Sequence, residues 1–123
     1  MNKYEIAEVL HKSTIENGLI PTLDEVFGKN IKIRVPFYHN GCTTDIDDLD
    51  FSVRSSNAMK RAGLMTVGQV IDALLDGRMK NVRNLGRKSY IEIQTKILQF
   101  GYDNLPENEK KRFFVYLIES NCR

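Results

Sequence analysis

Apolar residues recur along this chain at two spacings, and the switch between them divides it. In "KYEIAEVLHKSTIENG", Ile6, Val9 and Leu10 mark one face of an amphipathic helix that ends at Gly18. In "TLDEVFG", Thr22 and Glu25 have the spacing of a capping box, so a second, short helix is predicted to end at Gly28. The period then drops to two. Ile31, Ile33 and Val35 alternate with Lys32 and Arg34, and Asn40-Gly41 favours a tight two-residue turn, so a β-hairpin is predicted over about 31–46. A lone hairpin is marginal in water and must pack on the helices or pair with another chain.

From Ser52 the helical period returns, cut by glycines. Ser52 can cap a helix that runs to Ala62 and is closed by Gly63. Thr66 and Gln69 form a further capping box ahead of Val67, Val70, Ile71, Leu74 and Leu75, and Gly77 stops that helix. A short turn around Met79 to Val82 leads into "NVRNLGRKSYIEIQTKIL". There Tyr90, Ile93, Ile97 and Leu98 predict a helix from near Arg87 to near Gly101. Two helix, turn, helix units thus follow one another, the arrangement of a helix-hairpin-helix bundle. The last segment, "LPENEKKRFFVYLIESN", predicts one more helix, with Pro106 in its first turn and Phe113, Phe114, Leu117 and Ile118 available for burial. It either packs back on the bundle or offers an interaction surface. The expected fold is mainly α: a compact bundle over 47-104, an extension of helices and a β-hairpin over 1-46, and an extra helix over 105-123.

Composition limits the classes of function. With 123 residues, 28% of them charged and 41% hydrophobic, the chain reads as a soluble globular domain with appendages. No apolar run approaches the roughly 20 residues that span a bilayer, and the first residues lack the apolar core of an export signal. A cytoplasmic location without a membrane partner is expected. The net charge of +2 is unevenly spread. Residues 1-50 hold five Lys/Arg against nine Asp/Glu, whereas residues 51-104 hold nine against four. A basic middle section points to a polyanionic partner.

The turn at Gly86 is where that charge acquires a shape. A helix beginning near Arg87 presents free backbone N–H groups and the positive end of its dipole, and a glycine lets an anion approach the backbone. Arg83, Arg87, Lys88 and Ser89 surround the turn, and phosphate is the natural ligand; an ordinary helix start with solvated cations is the alternative. Catalytic and metal signals are weak. His39 with Cys42 supplies at most two of the four ligands of a structural zinc. Asp45, Asp47, Asp48 and Asp50 lack EF-hand spacing, and neither a P-loop nor a nucleophile motif occurs. No catalytic residue, metal or cofactor is expected, and Cys42 and Cys122 read as reduced thiols.

Two stretches, "DDLDFSVRSSNAMKRAGLMTVGQV" and "VRNLGRKSYIEI", resemble the C-terminal domain of the α subunit of bacterial RNA polymerase, especially its Gram-positive forms. The resemblance covers residues 47 to about 102. It implies a non-catalytic bundle of short helices that binds the DNA minor groove upstream of promoters and touches σ factor and activators. It implies further that Arg54 enters the groove with Asn57 supporting it, that Gly86, Lys88 and Ser89 hold phosphates, that Glu92 lies at the edge of that surface, and that Asp50 matches the σ contact.

The helical period makes these roles compatible with one face. Arg54, Asn57 and Lys60 or Arg61 fall at i, i+3 and i+6 or i+7, which stacks an arginine, an amide and a cation. With Arg87 at the phosphate turn they make up the expected DNA surface. A narrow A/T-rich groove favours inserted arginine, while its base edges carry little sequence information.

The 46 residues ahead of the motif cannot hold the large assembly domain of the polymerase subunit, so a free-standing small protein is expected unless the chain is an excised fragment. Two functions are carried forward. One is a promoter-binding protein on A/T-rich duplex DNA, with σ, an activator or the polymerase as further partners. The other is a protein-interaction adaptor with residual DNA contact. An unpaired hairpin edge would also suit a homodimer.

Overall fold

The computed structural model describes residues 2–28 and 42–121, which form six α-helices and two short 3-10 helices. They belong to two compact units: Met1–Phe37 with Gly101–Arg123 make one, and Tyr38–Phe100 the other.

In the first unit, α1 (Lys3–Asn17) opens on a capping box that the apolar pattern did not reveal. The Asn2 side chain accepts from the Glu5 amide at 2.9 Å, and the Glu5 carboxylate accepts from the Asn2 amide at 3.4 Å. Ala7, Leu10 and Thr14 are its buried face, whereas Val9 is 53% exposed. Next, α2 (Leu19–Phe27) starts three residues ahead of the predicted Thr22–Glu25 capping box. Thr22 is instead buried inside the helix, donating to the Gly18 carbonyl at 2.9 Å and sharing a hydrogen bond of 2.9 Å with Ser13 of α1. Pro21 is compatible with that earlier start, because the amides of a first helical turn have no partner to lose.

The C-terminal helix, α6 (Glu107–Asn121), packs on α1 and buries Phe113, Phe114, Leu117 and Ile118. Exposed ion pairs at the helix flanks, Lys3–Glu119 at 3.5 Å and Lys111–Glu8 at 3.4 Å, fix an antiparallel register. Each contributes little, at most about 1 kcal/mol, so the apolar contact holds the pair together. Tyr102 meets Phe113 and Phe114 at centroid distances of 5.3 and 5.6 Å, with Lys110 Nζ 5.2 Å above its ring.

The second unit contains a 3-10 helix (Ile46–Leu49), α3 (Val53–Arg61), α4 (Val67–Asp76), a second 3-10 helix (Arg78–Asn81) and most of α5 (Arg87–Asp103), whose residues from Gly101 onward belong to the first unit. Its caps follow the sequence. Ser52 Oγ accepts from the Ser55 amide, and Thr66 with Gln69 makes both bonds of a capping box. Ile46, Met59, Val67, Met79, Ile93 and Ile97 are fully buried and form its core.

The predicted β-hairpin over 31–46 is not seen: no strand occurs among the described residues, and its first strand and Asn40-Gly41 turn lie outside them. Its described end has other partners. Cys42 and Thr44 carbonyls accept from the amides of Gly68 and Val67, Asp45 and Thr66 form an isolated antiparallel bridge, and the Ile46 amide donates to the Met65 carbonyl. Burial of Ile46 and the Asp45 cap on the Asp47 amide, at 2.8 Å, turn the chain into a 3-10 helix where alternation alone predicts extension.

Candidate nucleic-acid interface

Helix α3 divides cleanly by period. Ser55, Ala58 and Met59 face the core, which leaves Arg54, Asn57, Lys60 and Arg61 exposed as the spacing predicts. Lys60 is not idle there: its Nζ stands 2.9 Å from Asp47 on the preceding 3-10 helix.

The second component is the approach to α5. The Leu85 amide donates to the Val82 carbonyl at 3.2 Å, closing a turn in which Asn84 takes a left-handed conformation (φ 65°), tolerable for a short polar side chain. The Gly86 carbonyl accepts from the Tyr90 amide at 3.0 Å, so Gly86 occupies the cap position of the helix. Yet glycine is not required there by the fold. Its φ is not in the positive range, and a Cβ added to it would meet nothing within 4 Å. Nor can glycine cap the helix with a side-chain oxygen, which serine or aspartate would supply. Arg83, Arg87 and Lys88 around it are exposed, whereas Ser89 is buried at 7% exposure.

Glu92 joins the two components. Its carboxylate accepts from the Ser52 amide and the Ser52 hydroxyl, each at 2.8 Å, and from the Ser55 hydroxyl. Desolvation pushes its pKa up, but these hydrogen bonds from Ser55 and Ser52 and the nearby Lys96 charge outweigh it, so the carboxyl titrates below the usual glutamate range. Lys88 and Ser89 precede Glu92 by about one helical turn, a rise of roughly 5–6 Å. The Gly86 turn and the N-terminus of α3 are thereby brought into one region. Lys96, one turn further on and 4.0 Å from Glu92, donates to the carbonyls of Leu49, at 3.3 Å, and Asp50, and lies 5.7 Å from the Phe51 ring centre. Asp50 itself is exposed with left-handed backbone (φ 56°).

The sequence pattern reveals the Ser52 cap but not the parts played by Ser55 and Lys96, although Glu92 and Lys96 at i, i+4 are a readable signal. Among the described residues no group of three His, Cys, Asp or Glu could hold a metal ion, and no helix is long and apolar enough to cross a membrane.

Residues 39–99 match the family model for the C-terminal domain of the bacterial RNA polymerase alpha subunit. The chain is 46% identical over 66 residues to the DNA-directed RNA polymerase subunit alpha of Aliarcobacter butzleri, covering 51% of this chain and 20% of that one. It is 48% identical over 56 residues to the same subunit of Symbiobacterium thermophilum, covering 46% and 18%. The chain therefore spans about a fifth of the length of these relatives. No solved structure matches. Residues 39–99 form an RNA polymerase alpha C-terminal-domain-like domain, which is non-catalytic in that family.

Proposed function

We propose that this domain binds double-stranded DNA in transcription, gripping phosphates at the Gly86 turn and setting Arg54 into an A/T-rich minor groove. The observation that carries the reading is the glycine at 86. Among the described residues neither backbone conformation nor a close neighbour asks for it, and it stands beside exposed cations at a helix N-terminus. A bare cap is what close approach by an external anion demands. Arg54, tied to the same helix through Ser52, Ser55 and Glu92, supplies a planar cation suited to a narrow groove. Asn57 supports it one turn on, while Arg61, Arg87 and Lys88 add phosphate contacts, and Lys60 joins them if its bond to Asp47 opens.

On this reading Asp50, exposed on a braced bend, faces σ factor, an activator or the polymerase itself. Gel-shift titration of A/T-rich against G/C-rich duplexes at one stated salt concentration tests the proposal. Tighter binding to the A/T-rich duplex, lost in Arg54→Ala, is expected; equal weak binding by both proteins would sink it.

The adaptor reading gains from one observation. The unit built on α1, α2 and α6 lies outside the family match and has its own core. A protein partner or a second copy of the chain would be recognised there, and sedimentation of the isolated protein would reveal a homodimer.

A further inference from the structure

We infer that the exposed face of α1 docks antiparallel on the same face of a second copy of this chain, so that the protein pairs through the unit outside the family match. The inference rests on the adaptor reading of that unit and names its partner.

Four of the seven exposed large apolar side chains among the described residues, Tyr4, Val9, Ile15 and Val26, lie on α1 and α2. Three of them belong to the side of α1 that its core contacts leave open, since Ala7, Leu10 and Thr14 are turned into the unit. Tyr4 and Ile15, 64% and 71% exposed, are separated by close to three full turns. They therefore share one edge of the outer face, about 16 Å apart along the helix. Val9 marks the other edge, and the exposed Glu8 and Lys12 stand between the two.

Their order makes this face complementary to itself. When α1 is laid against a reversed copy, about a two-fold axis beside Val9 and Leu10, Tyr4 meets Ile15 of the second copy. Glu8 then comes within one residue of Lys12 of the second copy, and the two Val9 side chains flank the axis. Every contact occurs twice, as an isologous interface requires. A parallel pairing would instead set Glu8 on Glu8 and Lys12 on Lys12, so charge selects the antiparallel arrangement.

The neighbouring charges limit its strength without reversing it. Glu8 stands 3.4 Å from Lys111 of its own chain, but a carboxylate has acceptor positions for two cations. Glu5 is turned back to accept from the Asn2 amide. Glu16, which comes near Glu5 of the second copy, works against the pairing at its ends. A helix of 15 residues is about 22 Å long, so the contact is small and association of micromolar strength is expected.

Sedimentation velocity of the full chain without DNA, from low to high micromolar concentration, tests this and should show a monomer–dimer equilibrium. Ile15 is exposed in the single chain, so Ile15→Glu should leave the melting temperature unchanged while raising the dimer Kd at least about tenfold. Lys12→Glu and Glu8→Lys should each raise it comparably, because each brings like charges together twice. Mixed in equal amounts, with a fluorophore on one chain, these two variants regain both opposite-charge contacts. They should form a heterodimer within about threefold of the wild-type Kd. Glu8→Lys also removes the Lys111 pair, and the melting temperatures of the single variants are the control for folding. A monomer at every concentration would overturn the inference and leave the adaptor reading with a different protein as partner. A dimer that survives Ile15→Glu, or charge variants that do not prefer each other, would overturn the α1 contact while a homodimer through another surface stands. Neither result touches the DNA reading, which the gel shifts decide.

Discussion

The Gly68 amide donates to the Cys42 carbonyl at 3.1 Å, and a Cβ on Gly68 would stand 2.7 Å from that same oxygen. The obstacle is backbone, which lacks the freedom of a side chain to rotate aside. Gly68→Ala should therefore destabilise the domain by about 1–3 kcal/mol, although alanine is otherwise the better helix former. Gly86→Ala is the contrasting case. It should leave stability unchanged or raise it by about 0.4–1 kcal/mol, while weakening DNA binding. Urea denaturation and gel shifts on both variants separate a glycine kept for packing from one kept for a ligand.

Lys88→Ala should reduce affinity for all duplexes alike, because a phosphate contact carries no sequence information. The slope of log K against log salt should become shallower by about 1. A slope equal to that of the wild type would remove Lys88 from the interface.

Arg54→Lys keeps the charge and loses the guanidinium plane. Binding to A/T-tract DNA should drop toward the level seen with G/C-rich DNA, and Arg54→Ala should then weaken both. Competition assays at fixed ionic strength would show the two steps; a uniform loss in the lysine variant would reduce Arg54 to a general phosphate contact.

Glu92 also gives the domain an acid response. An unfolded glutamate takes up its proton near pH 4.5, whereas the folded carboxylate, held by Ser52, Ser55 and Lys96, does so at lower pH. Folding stability from this group is present in full above about pH 4.5 and is lost as pH falls through the folded pKa. Glu92→Gln should thus be less stable than the wild type at neutral pH, and the gap should narrow below about pH 4. Denaturant midpoints of the two proteins across that range measure it.

The helices of the central domain were legible because their information is local. Ser52, Thr66 with Gln69, and the apolar positions from Val67 to Ile71 specify caps and faces within a few residues of each other. The start of α2 was misread because Thr22 and Glu25 satisfy a local pattern that the longer helix overrides: the hydroxyl finds the Gly18 carbonyl and a place in the core. Alternation likewise said nothing of Cys42 and Thr44 bonding to Gly68 and Val67, over twenty residues away. In the candidate site, exposure of Arg54, Asn57 and Lys88 followed from period and composition. The inward bonds of Glu92 could not, since they span 37 to 40 residues and depend on how α3 packs beside α5.

Pairing of α1 with α6 sets a timetable for the nascent protein. Glu8 and Lys111 are 103 residues apart in sequence, so α1 leaves the ribosome before α6 is made and waits for it. At ~5–20 residues per second, that interval is about 5–20 s. During it Ala7 and Leu10 have no Phe113 or Phe114 to cover them, while the residues of the central domain are already complete. The residues of the central domain are therefore all made before the unit that pairs α1 with α6 can be completed. A polypeptide released before α6 is made would carry an unprotected α1, an exposed target for chaperones and proteases.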